Sequence, residues 1–150
     1  MTPSPFDPKT VLLAKHAQHV VLIHFPIALG IAGVAFDFLG RWTRQRQLLT
    51  VAYYNLMGAA LAAVPVVVTG VLAWQWALEG QKLKGILLMH LIGGCLSAGL
   101  LWAVAILQFR SRRTSETAPP AYCLLLEGCA AVVCAVTAHL GGFLSGVNGG

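Results

Sequence analysis

At 150 residues, with 57% hydrophobic and only 10% charged side chains, the chain lies far below the roughly one-quarter charged content of ordinary soluble domains, which excludes a water-solvated globule. Its net charge of +5 would suit nucleic acid in a soluble protein. Here the positives flank apolar stretches and leave no aromatic-basic surface over, so membrane orientation accounts for them and nucleic-acid binding does not.

The first apolar stretch runs from Ala17 to Gly40 and is long enough for the roughly 20 helical residues a bilayer core requires. Lys15 before it gives it the look of a signal peptide, but it holds His19 and His24 and ends in Arg41, Arg44 and Arg46, a stop-transfer flank. It is therefore expected to stay. Pro26 removes the bond to the Leu22 carbonyl, which predicts a local bend. Asp37 precedes Arg41 by four residues, the spacing of an ion pair near the interface.

The second span covers Thr50 to Leu78, with a second bend predicted at Pro65. Trp74 and Trp76 anchor its outer end, and Trp42 and Tyr122 mark the inner boundary. The third span covers Gly85 to Phe109 and the fourth Tyr122 to Val147; between them only Ser111 to Pro120 has linker character. Short connections force antiparallel neighbours, so the expected fold is all-α: an integral membrane four-helix bundle running up-down-up-down as one domain over residues 1–150. All six arginines fall in the first and third loops, whereas Lys9, Lys15, Lys82 and Lys84 lie on the other side. The positive-inside rule then places both termini outside the cytoplasm. Small residues such as Gly30, Gly33, Gly58, Gly70, Gly93, Gly99 and Gly128 punctuate the spans and let the backbones approach closely.

Four cysteines, Cys95, Cys123, Cys129 and Cys134, lie within apolar stretches and match no zinc, covalent-haem or disulfide spacing. They read as small hydrophobes.

At about 1.5 Å rise per residue, His24, His90 and His139 lie roughly 10, 8 and 12 Å inside the outer ends of three different spans. Polar residues at that depth face the bundle interior and have a partner or a function. Three at one level point to a ligand site, against the plainer reading that each bonds a hydroxyl or carbonyl of a neighbouring helix. Membrane haem b is held by imidazoles from different helices without a covalent motif. Gly94 lies four residues after His90 and Gly142 three after His139, leaving room for a flat macrocycle. His24 is expected to pair with His90 or His139; a three-imidazole copper or zinc site satisfies the same residues. His19, some 140° around the helix from His24, is expected at the interface with His16 nearby. Glu127 sits between one and two turns into the last span, where it stays neutral, bonds Tyr53, Tyr54 or Asn55, or carries protons.

His24-Phe25-Pro26-Ile27-Ala28-Leu29, the Thr69-Gly70 pair, a histidine early in the third span and His139-Leu140-Gly141-Gly142 together resemble the bacterial membrane family catalogued as domain of unknown function 2231. The resemblance covers nearly all four spans and implies a redox setting, since some members are fused to or encoded beside c-type cytochrome domains. Ala73 and Ser145 depart from it: an acid is expected at the first and a tyrosine or histidine near the second.

No nucleophile triad, phosphate loop or paired catalytic carboxylates appear, so no self-contained enzyme is indicated. The favoured expectation is a subunit that binds haem b and transfers electrons near the outer face, with other membrane or cytochrome subunits and a quinone as candidate partners. The alternative is a non-redox structural or assembly subunit.

Overall fold

The computed structural model describes residues 17–76, 78–114 and 119–145. Expectations that fell on Lys9, Lys15, His16 and Val147 lie outside them. Among the described residues five helices follow one another: α1 (Ala17–Leu22), α2 (His24–Thr43), α3 (Arg46–Trp76), α4 (Gly85–Arg113) and α5 (Ala121–Leu144). Together α1 and α2 make one span, so four helical segments are long and apolar enough to cross a bilayer. The expected four-helix membrane bundle is what the chain forms.

The α1–α2 junction is the single residue Ile23, whose amide still donates to the His19 carbonyl at 3.0 Å. Pro26 explains the interruption, because its ring nitrogen offers no hydrogen to the turn before it. Pro65, by contrast, stays inside an unbroken α3. The helices extend past the apolar stretches by a few residues. Thr43 thus ends α2 and Arg46 begins α3, so the first loop contracts to Arg44 and Gln45. Arg44 makes the turn in the left-handed region at φ 57°, and its amide donates to the Gly40 carbonyl.

The closest pairs are α2 with α3 and α4 with α5. Small residues make this possible: the core is Leu56, Ala59, Ala60, Ala63, Leu101, Val104, Ala105, Ala130 and Cys134. A Cβ at Gly33 would stand 2.7 Å from the Leu56 side chain, so the α2–α3 contact requires a residue without one. The surface is inverted relative to a soluble protein. Trp42, Tyr54, Leu125 and Val132 are exposed, whereas Asp37, Gln108 and Glu127 are buried. Lipid tails solvate the first set, and the second has only the protein interior.

The bundle is an internal repeat. The buried positions of α2, Pro26, Gly30, Gly33, Asp37 and Gly40, recur 71 residues later in α4 as Ser97, Leu101, Val104, Gln108 and Ser111. The same offset carries Ala52, Leu56, Ala59 and Ala63 of α3 onto Cys123, Glu127, Ala130 and Cys134 of α5. Polar contacts follow it to within one position: Arg41 donates to the Pro119 carbonyl at 2.7 Å, before α5, and Arg112 donates to the Leu49 carbonyl at 3.1 Å, near the start of α3. Two helical hairpins running the same way through the membrane are therefore related by a pseudo-two-fold axis along the bilayer normal.

Candidate functional site

A cavity of about 400 Å³ opens between the helices at the end that carries the α3–α4 loop. Its wall comes in repeat-related pairs, among them Ala63 with Cys134, Val67 with Ala138 and Gly70 with Gly141, which puts it on the pseudo-two-fold axis. No Asp, Glu, Lys or Arg among the described residues lines it. Its polar lining includes Ser97, Thr137 and three histidines, two of which face each other.

Those two are His19 and His90, themselves 71 positions apart. Their ring centres lie 6.3 Å from each other with the planes at 87°. Each ring is oriented by the neighbouring helix. His90 Nδ1 lies 3.0 Å from the Thr137 carbonyl oxygen, and His19 Nδ1 lies 3.1 Å from that of Val66 and 3.3 Å from the Thr69 hydroxyl. A carbonyl can only accept, so Nδ1 carries the hydrogen in both rings. Each ring lies against a glycine: a Cβ at Gly70 would stand 2.9 Å from His19 Cε1, and one at Gly141 the same distance from His90 Cε1.

The expected site residues separate. His90 faces the cavity as anticipated, and Gly94 and Gly142 both line it. A Cβ added at Gly94 would meet nothing within 4 Å. His24 reaches only the cavity edge; it is exposed, and its Nδ1 donates to the Val20 carbonyl in its own helix at 2.8 Å. It is His19, not His24, that the structure brings against His90, and with α1 turned that way the 140° offset carries His24 aside. His139 shares the height of His90, because Thr137 and Gly141 on either side of it touch the His90 ring. It nevertheless points away, since a residue two positions from each lies about 200° around the helix. It is exposed, with its ring edge-on to Phe143 at 5.1 Å. The three histidines thus do not assemble into a copper or zinc centre, and no group of three or more metal-binding side chains occurs among the described residues.

His19 was missed because depth was counted from an assumed span end and direction was left open. The repeat was the signal that could have found it: aligning the two halves pairs His19 with His90, Arg41 with Arg112 and Gly70 with Gly141 as identities.

At the opposite end of the bundle, Glu127 accepts a hydrogen bond from Gln108 Nε2 at 2.7 Å, and Asp37 pairs with Arg41 at 2.6 Å, as its spacing predicted. Glu127 bonds α4 rather than the Tyr53, Tyr54 or Asn55 of α3 considered from the sequence.

Searches of curated proteins and of solved structures return no match to the chain. The model of one family, described as predicted membrane protein (DUF2231), matches residues 15–149, and the chain belongs to that family.

Proposed function

We propose that the protein is a haem b-binding electron-transfer module of a bacterial inner membrane, in which His19 and His90 would hold the haem. The carrying observation is the paired geometry of their rings. Two imidazoles ligating one first-row metal from opposite sides, at about 2 Å each, have ring centres about 6 Å apart, and these stand at 6.3 Å. Two histidines are too few for a structural zinc or a copper centre but complete the coordination of a haem iron, whose other four ligands are its own. The Nδ1–H donation to a carbonyl is the outer-shell contact that fixes a ligating imidazole and raises its basicity. Gly94 and Gly142 leave open wall beside the rings.

A bound haem supplies reversible one-electron chemistry. The chain's residues do the rest: His19 and His90 hold and orient, the apolar wall excludes water, and the location near one membrane face gives a quinone or a cytochrome subunit access to the centre. With Lys82 and Lys84 at that end and the arginines at the other, we assign it to the extracytoplasmic side, with both termini there.

The test is the visible spectrum of detergent-purified protein after haem reconstitution. Sharp reduced-state bands are expected. His19→Ala and His90→Ala should each abolish them, while His24→Ala and His139→Ala keep them. The near-perpendicular ring planes further predict a strongly anisotropic low-spin ferric EPR signal. Absence of any haem absorption overturns the proposal and favours a non-redox subunit, for which the existing carbonyl bonds of both rings are the supporting observation.

A further inference from the structure

Far from the histidines, three helices bring together polar groups that the reading above leaves unused. Glu127 of α5, Asp37 of α2 and Gln108 of α4 are 0%, 1% and 2% exposed. Glu127 Oε1 is bonded to Gln108, Asp37 Oδ2 to Arg41 Nε, and Arg41 Nη1 to the Pro119 carbonyl. Three buried atoms are left without a partner: Glu127 Oε2, Asp37 Oδ1 and Arg41 Nη2. Orphaned polar atoms of this kind are rare and call for a reason.

Packing is not the reason. The repeat puts Leu56 where the second hairpin has Glu127, in the same buried register, so the fold accommodates an apolar side chain of similar size at that place. Charge balance is not satisfied either. Two carboxyl groups share one guanidinium, and an unpaired charge in a membrane interior is costly. The groups acting on Glu127 are Asp37 and Arg41 from α2, with neutral Gln108 from α4; no charged group of α3 is among them.

A second, small cavity of about 10 Å³ lies beside Glu127, on the order of the space one water needs. Pro26, Ile27, Leu101 and Cys134 form part of its wall and also part of the wall of the outer cavity. A single layer of side chains therefore separates the small cavity at Glu127 from the histidine cavity. Arg41, 18% exposed, connects the pair to the opposite surface.

We propose that Glu127 and Asp37 form a proton-binding site beside Arg41 whose occupancy follows the charge in the His19–His90 cavity. This rests on the haem reading for its coupling, though not for the site. When an electron enters the cavity from a one-electron donor of the quinol or cytochrome class, Glu127 takes one proton from the arginine-side aqueous phase and forms one O–H bond. When the electron leaves, that bond breaks and the proton returns. The interior charge is the same before and after.

The experiment is a redox titration of the haem-reconstituted protein across pH, for the natural chain and for Glu127→Gln and Glu127→Leu. The natural chain is expected to show a midpoint potential that falls as pH rises, and both variants to lose that dependence while keeping the haem bands. The leucine variant guards against a folding artefact, since the repeat carries leucine there. In parallel, infrared spectra of the haem-free protein through a pH jump should contain a carboxyl carbonyl change that Glu127→Gln removes. An unaltered pH dependence in variants that still bind haem overturns the coupling; an infrared change that survives Glu127→Gln overturns the site. If no haem binds at all, the functional reading fails by itself, and the infrared result alone decides whether the proton site exists.

Discussion

Replacing Gly141 by alanine adds one methyl group beside His90, one of the two proposed haem ligands. The new Cβ would stand 2.9 Å from His90 Cε1 and 3.5 Å from Nδ1. Carbon atoms settle at about 3.5 to 4.0 Å, so the ring must retreat by roughly 0.6 Å or more. The Nδ1 contact to the Thr137 carbonyl, now 3.0 Å, then stretches past the range of a hydrogen bond. Losing such a bond costs about 1 kcal/mol, and disturbing an outer-shell contact to a metal-ligating histidine lowers affinity about 10- to 100-fold. Gly141→Ala should therefore weaken haem binding by that factor in an absorbance titration of haem-free protein. Gly70→Ala should match it, because the same 2.9 Å contact to His19 recurs across the repeat. Gly99→Ala is the control, since a Cβ there meets nothing within 4 Å. If both variants bind haem as tightly as the control, the two rings are not the ligands.

Three further substitutions probe the scaffold. Gly33→Ala drives a Cβ to 2.7 Å from Leu56 and should destabilise the bundle by about 1 to 3 kcal/mol, read as a lower melting midpoint in detergent. Arg41→Ala strands Asp37, 1% exposed. Because the Arg41 side chain is 18% exposed, the loss should fall near the low end of the range for a broken buried pair, about 3 kcal/mol; a loss below that of Arg112→Ala would refute it. Arg112→Ala removes an exposed cation 4.4 Å from the Tyr53 ring centre and should cost about 0.5 to 1 kcal/mol. The repeat-related arginines thus differ by what they neutralise, not by where they sit.

Much of the architecture was legible because composition and span length act at coarse grain. Runs such as Leu61 to Leu72, free of charges, admit one solvent and one conformation. The Asp37–Arg41 pair was equally plain, since both partners lie on one helix. Contacts between helices were harder. Height along a helix follows from counting, which placed His139 level with His90. Direction depends on which face the neighbours bury, and a one-residue choice of register swings a side chain by about 100°. That is why His139 was expected inside and faces outward, and why Glu127 was matched to α3 when its partner is on α4. The helix ends also ran past the apolar runs, because Arg41, Arg46 and Arg113 tolerate helix geometry while sitting at the water boundary.

The division of the chain into two like hairpins has an assembly consequence. On the proposed haem ligation, His19 of the first hairpin and His90 of the second each supply one ligand, so a chain that has inserted only its first two spans would offer half a coordination sphere. Ligand capture must wait for the second hairpin to dock, and once made it ties the two halves together. The haem-loaded protein should then resist separation of its hairpins by an amount set by the free haem concentration, and membrane insertion would precede loading in every molecule.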